Sequence, residues 1–343
     1  MKRLTLYILR EAAGPLVLLL IIGTALLIVN RLLKVLPLLL EFHVDLLRVL
    51  GVLGWLVPSL LLYALPIASW VGWLVGYGRL GSDGELSALA SVGASPMQAL
   101  RPALISGLAL TIVALWLAES AYGPGRRQFQ IELGALARES AVGALQPGTV
   151  AALSDELWVI VPPDPAGGGP VLIREPDLVL SLGSAKPATD GAALAFADAS
   201  GFLRSATEPT WIGFEHGRVR LDLPMETPAA GAREMRLHEL AGSTRLSWQV
   251  EFHQRLALVF SLLIAPLAAF VVAPRRTRSG GRGVAMLVAL LGFVAYYGLF
   301  TAGKQAALKG WLPAWAGMWS GNLALLLVAG GALLRRLRRP GLP

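Results

Sequence analysis

Two cationic side chains inside an otherwise apolar run are the first residues of this sequence that demand a chemical reason. Arg31 and Lys34 follow Asn30 near the end of the segment Ala13–Leu36; three apart, they share one helical face. A charge at membrane depth is costly against lipid tails. That leaves two uses: the long stems snorkel to an interface, or the pair holds an anionic group such as a phosphate. A second candidate is the stretch Tyr77–Ser95. Ser82 or Asp83 can cap a helix, about 82–93, that ends at Gly93. On it Glu85 offers a carboxylate, while Leu86, Leu89 and Ala90 share an apolar face. Such a helix either docks in a partner's groove or lies passively at a membrane interface.

Other constellations carry less. His253 stands between Glu251 and Arg255, but no serine or second histidine accompanies it at a recognisable spacing. Glu251 and Arg255 are four apart, the spacing of a pair on a helix surface. The four histidines, His43, His216, His238 and His253, are scattered and give no metal-ligand spacing; the chain has no cysteine, which excludes thiolate chemistry. Gly298–Gln305 has the spacing of a phosphate-binding loop, but Gln305 stands where serine or threonine is needed and no soluble strand precedes it. No catalytic residue and no metal site is expected. Phe293, Tyr296, Tyr297 and Phe300 lie close together and suit either acyl chains or plain aromatic packing. Lys304 and Lys309 follow them.

The elements that must position these residues are membrane spans. The 343 residues are 55% hydrophobic and 15% charged, with a mean hydropathy of +0.61, whereas soluble domains carry about 25% charged residues. Six apolar segments are long enough to cross a hydrocarbon core of about 30 Å: 13–36, 49–75, 99–118, 256–273, 284–302 and 315–334. The first runs on past Arg31 and Lys34 without a small-residue cleavage site, so it reads as a retained span rather than a signal peptide. The net charge of +8 is concentrated beside the spans: Lys2, Arg3 and Arg10; Arg275, Arg276, Arg278 and Arg282; Arg335, Arg336, Arg338 and Arg339. This is the positive-inside pattern, not a nucleic-acid footprint, and it predicts both termini in the cytoplasm.

Between the third and fourth segments the composition turns polar and rich in glycine and proline. The division is 1–122 for the first three spans, 123–248 for the insert and 249–343 for the last three spans and the basic tail. Phe129, Leu133, Leu136 and Val142 predict a helix continuing the third span. Strands are expected at 157–161, 171–174, 178–182, 193–197, 210–214 and 219–223, the pattern of an antiparallel sandwich, barrel or jelly roll.

Gly78-Arg79-Leu80, Glu85-Leu86, Ala90 and Gly93-Ala94 resemble the signature of the lipopolysaccharide-export permeases, the LptF/LptG family, and the order three spans, insert, three spans extends the likeness over nearly the whole chain. Leu246-Ser247-Trp248-Gln249, Val272-Ala273-Pro274-Arg275 and Asn322-Leu323 are more similar to LptF. The resemblance implies an α-helical integral inner-membrane protein of six transmembrane helices with an inserted all-β, jelly-roll-like periplasmic domain. It implies the permease half of an ABC transporter, paired with a second LptF/LptG-type permease on an LptB-like ATPase dimer. That assembly extracts lipopolysaccharide and passes it to LptC-like and LptA-like periplasmic proteins. It further implies no cofactor and no ATPase site in this chain, with ATP bound by the partner. Arg79, Glu85, Leu86 and Leu89 become coupling residues, and Arg31, Lys34, Lys304, Tyr297 and Phe300 lipid contacts. The competing readings are a lipoprotein-release or efflux permease, whose insert follows its first span, an envelope-lipid enzyme, and a non-transporting scaffold.

Overall fold

The computed structural model describes residues 2–42, 46–143, 150–154, 157–160, 171–174, 178–187, 193–204, 209–220, 231–273 and 281–338. Residues 161–170, the arginines of 274–280 and the tail from 339 lie outside them, as does the end of the strand expected at 219–223. The chain divides into two compact units: one of residues 1–31, 53–127 and 230–343, the other of 32–52 and 128–229.

The helices are α1 (Lys2–Phe42), α2 (Leu46–Gly54), α3 (Val57–Ser82), α4 (Glu85–Ser91) and α5 (Pro96–Trp116), then a π turn (Leu117–Ala121) and α6 (Tyr122–Gly143). After the strands come α7 (Leu237–Leu240), α8 (Leu246–Val272), α9 (Gly281–Leu308) and α10 (Ala314–Arg338). Five helical stretches among the described residues are long and apolar enough to span: Arg3–Val35, Val57–Ser82, Pro96–Leu136, Leu246–Val272 and Met286–Leu308. The expected sixth segment is helical, as α10.

The second span starts later than its apolar run suggests. Pro58 cannot donate a backbone hydrogen bond, so the run breaks at Trp55–Leu56, where the Leu56 amide donates to the Leu53 carbonyl at 2.9 Å, and restarts as α3. At its far end α3 continues to Ser82, so Arg79 is a helical residue rather than part of a loop.

In the first unit, α8 is the central post, with three-quarters of its apolar window buried against α3, α5 and α10. One core cluster joins Ile8, Ala12, Trp73, Tyr77, Leu80, Leu100 and Phe270; the other joins Leu62, Ala118, Tyr122, Leu258, Phe300 and Met318. Without a hydrophobic drive between helices in lipid, close backbone approach through small residues holds such a bundle. Gly303 of α9 and Gly317 of α10 meet this way: a Cβ on Gly303 would lie 2.1 Å from the Gly317 carbonyl oxygen.

The second unit holds β1 (Val150–Ser154), β2 (Leu157–Ile160), β3 (Val171–Arg174), β4 (Leu178–Pro187), β5 (Ala193–Arg204) and β6 (Pro209–Arg220). They form one antiparallel sheet in chain order. This is a meander; the crossover between two sheets that defines a jelly roll is not seen among the described residues. The strands expected at 210–214 and 219–223 are one strand, β6, because β5 is equally long and pairs with it from Ala193↔Arg220 to Arg204↔Pro209, through the polar Glu215–Gly217 stretch. β1, which has no counterpart among the expected strands, pairs with β2.

Candidate functional site

At the end of the first unit that carries the N-terminus, α3 turns into α4 at Asp83–Gly84. The expected side-chain cap from Ser82 or Asp83 is not formed. Both residues still belong to the last helical turn, Asp83 with φ −77° and its amide on the Arg79 carbonyl, so Gly84 is the N-cap, at φ 76°. That left-handed conformation suits glycine and lets the chain reverse at once. α4 ends before Gly93, at φ 80°, with the Ala94 amide donating to the Leu89 carbonyl at 3.0 Å.

Three side-chain contacts gather here. The Tyr7 hydroxyl of α1 donates to Glu85 Oε1 at 2.9 Å. Arg79 Nη1 lies 2.6 Å from Glu11 Oε2, also of α1, and Arg79 Nε lies 3.6 Å from Asp83. Leu86 packs on the cluster that contains Ile8, Ala12 and Leu80. Sequence reasoning offered Glu85 to a partner as a free carboxylate; one of its oxygens is held by Tyr7. Tyr7 and Glu11 escaped that reasoning. Their only signal is a four-residue spacing on a helix with basic neighbours. The outward surface of this corner is formed by Ala88, Ala90, Val92 and Met97, with Leu89 half-buried.

The opposite end of the unit centres on Arg255, fully buried. Its Nε donates to Glu251 at 3.0 Å, its Nη1 to the Met235 carbonyl at 2.7 Å, and its Nη2 to the carbonyls of Ala232 and Arg233 at 3.0 and 3.2 Å. The Tyr122 ring lies 3.9 Å from the guanidinium carbon. The pair expected on the helix surface is therefore internal, because the segment 231–240 folds back over α8 and supplies carbonyls that no local spacing reveals. Glu119, within the π turn, binds the same segment: it accepts from the His238 amide at 3.1 Å and meets His238 Nδ1.

Arg31, half-buried, lies within electrostatic reach of Arg126 and Arg233. Lys304 shares the field of Arg233 and Glu251. Arg31 and Lys304 thus share the field of Arg233, which Glu251 opposes at Lys304; Lys34 follows on α1 in the second unit, exposed. Gly298–Gln305 lies wholly inside α9, so it cannot wrap a phosphate. Tyr297 donates to the Tyr63 carbonyl at 2.9 Å and sits 6.1 Å from Phe300, which is buried. Tyr296 donates to Asn322, whose amide donates to the Ala257 carbonyl at 2.8 Å. Among the described residues no group of three acidic or histidine side chains is placed to hold a metal.

The family model described as lipopolysaccharide export system permease LptF/LptG matches residues 6–336. The chain belongs to that family. No curated protein matches it. As an LptF/LptG permease it is a multi-pass membrane protein and a transport subunit rather than an enzyme. Its strands follow the third candidate span, not the first.

Proposed function

We propose that this LptF/LptG permease, as the LptF member, pairs with a second permease of the family on an LptB-like ATPase dimer and draws lipopolysaccharide out of the inner membrane. In this reading α10 is the sixth span, the termini are cytoplasmic, and the sheet stands in the periplasm. There β1 and β6, the edge strands among the described residues, offer their backbone to LptC-like or LptA-like neighbours. No cofactor is bound by the chain itself, and ATP is bound by the partner.

The observation that carries this reading is the α4 corner. A short helix leaves the bundle at a glycine hinge, seats Leu86 inward and turns Val92, 80% exposed, and Met97 outward. Arg79, Glu85, Leu86 and Leu89 hold it as the element that an ATPase groove grips. At the other end Arg31 and Lys34, with Lys304 in support, contact the lipid phosphates; Arg233 adds to that field, while Arg126 is engaged by Glu234 at 3.7 Å. Tyr297 and Phe300 border the acyl chains.

Purification in mild detergent recovers an ATPase and a second permease with the chain. In that complex Glu85→Ala leaves assembly intact and separates ATP turnover from lipid extraction. Normal extraction by this variant rejects the coupling role. Charge reversal at Arg31 and Lys34 weakens photocrosslinking to lipopolysaccharide, and undiminished crosslinking rejects the phosphate contacts.

A further inference from the structure

The α4 corner is joined to a helix that is not its neighbour in sequence. Tyr7, Ile8, Glu11 and Ala12 occupy one face of α1, and that face meets α4 and the end of α3 by three kinds of contact. Tyr7 donates to Glu85 at 2.9 Å, Glu11 pairs with Arg79 at 2.6 Å, and Ile8 and Ala12 belong to the cluster on which Leu86 rests. Below this point α1 and α3 touch backbone to backbone. A Cβ on Gly76 would lie 3.0 Å from Ala12 Cα, and one on Gly72 would lie 2.7 Å from Leu16 Cβ. Yet α1 is otherwise the least enclosed of the five candidate spans, with only 17% of its apolar window buried. It is free to respond to what happens at its first two turns.

We propose that Tyr7 and Glu11 are positioning residues that yoke α1 to α4, so that displacement of α4 by the ATPase moves α1, the helix carrying Arg31. This rests on the coupling reading of α4 given above. A hydroxyl contact at the surface and an ion pair whose arginine is half exposed contribute little to folding, so a tyrosine and a glutamate at these positions are explained better by the geometry they impose than by stability. Glu11, the more buried partner of its pair at 15% exposure against 48% for Arg79, fixes the guanidinium between α1 and Asp83. Tyr7 fixes Glu85 at the first turn of α4. Two points of attachment, four residues apart on α1, define a direction as well as a position.

The chain has no cysteine, so spin labels can be placed at Leu26→Cys on α1 and Leu108→Cys on α5, both exposed, in the complex with its copurified ATPase. Addition of ATP and vanadate is expected to shift the distance between the labels. Tyr7→Phe combined with Glu11→Gln is expected to keep ATP turnover and remove that shift, with lipid extraction falling by about fivefold or more, the lower range of typical coupling between sites. Exchange of the charges, Glu11→Arg with Arg79→Glu, is expected to restore it. A shift that survives the first pair of substitutions overturns the yoke. Loss of ATPase binding by that variant also overturns it, since it would put both residues in the partner's seat. Failure of the charge exchange to restore the shift removes Glu11 from the proposal. If the unaltered complex holds no ATPase, or shows no ATP-dependent shift, the coupling reading falls first and the yoke with it.

Discussion

A buried guanidinium is tolerated only when its donors are met, and Arg255 meets Glu251 and three carbonyls of the segment that returns from the strands to α8. Breaking a buried ion pair by neutralising one partner costs about 3–5 kcal/mol. Glu251→Gln is therefore expected to lower the thermal midpoint of the purified protein by several degrees, read by tryptophan fluorescence in detergent. An unchanged midpoint would show that the carbonyls alone satisfy the arginine. The residues of this latch illustrate what sequence hides. Glu251 and Arg255 are visible as a pair at helical spacing, but their burial depends on carbonyls at 232–235 and a ring at 122, and backbone acceptors leave no mark on residue type. Arg31 and Lys34, by contrast, stand out because a charge among apolar residues is rare enough to need a reason. Tyr7 carries no such mark, since its partner lies 78 residues away.

Helices were the most legible elements, because a run of apolar residues long enough to span is its own signal. The errors fall where local chemistry cuts across hydropathy. Pro58 splits a continuous apolar run into α2 and α3, and Gly84 rather than Ser82 or Asp83 caps α4. The strands other than β1 are legible one by one, yet their lengths are set by pairing: β6 runs through a polar stretch because β5 lies alongside it. Pairing between distant segments is a property of two sequences at once, so a single pass along the chain underestimates it. The contact of α9 with α10 makes its own demand. Gly303→Ala would drive a methyl group into the Gly317 carbonyl, and overpacking of this kind costs about 1–3 kcal/mol. The expected outcome is a lower midpoint and easier proteolysis between α9 and α10, whereas Gly298→Ala, with open space around it, is expected to be neutral.

For the molecule as a whole, orientation follows from charge. If both termini are cytoplasmic, a reporter fused after Ser200 in β5 is active only as a periplasmic enzyme, and one fused after Lys309 behaves likewise. Cytosolic activity at Ser200 would reverse the orientation expected from the arginine clusters. The burial of the spans is uneven: α3 and α8 have 72% of their apolar windows enclosed, Met286–Leu308 has 22% and α1 has 17%. Such a protein does not carry its own surroundings. The surface that α1 and α9 leave uncovered within the chain must be completed by whatever amphiphile or polypeptide lies beside it. Changing from a short-chain detergent to a nanodisc should accordingly alter amide exchange in α1 and α9 first, while α8 stays silent. The post of the bundle reports on the fold, and its outermost helices report on the solvent.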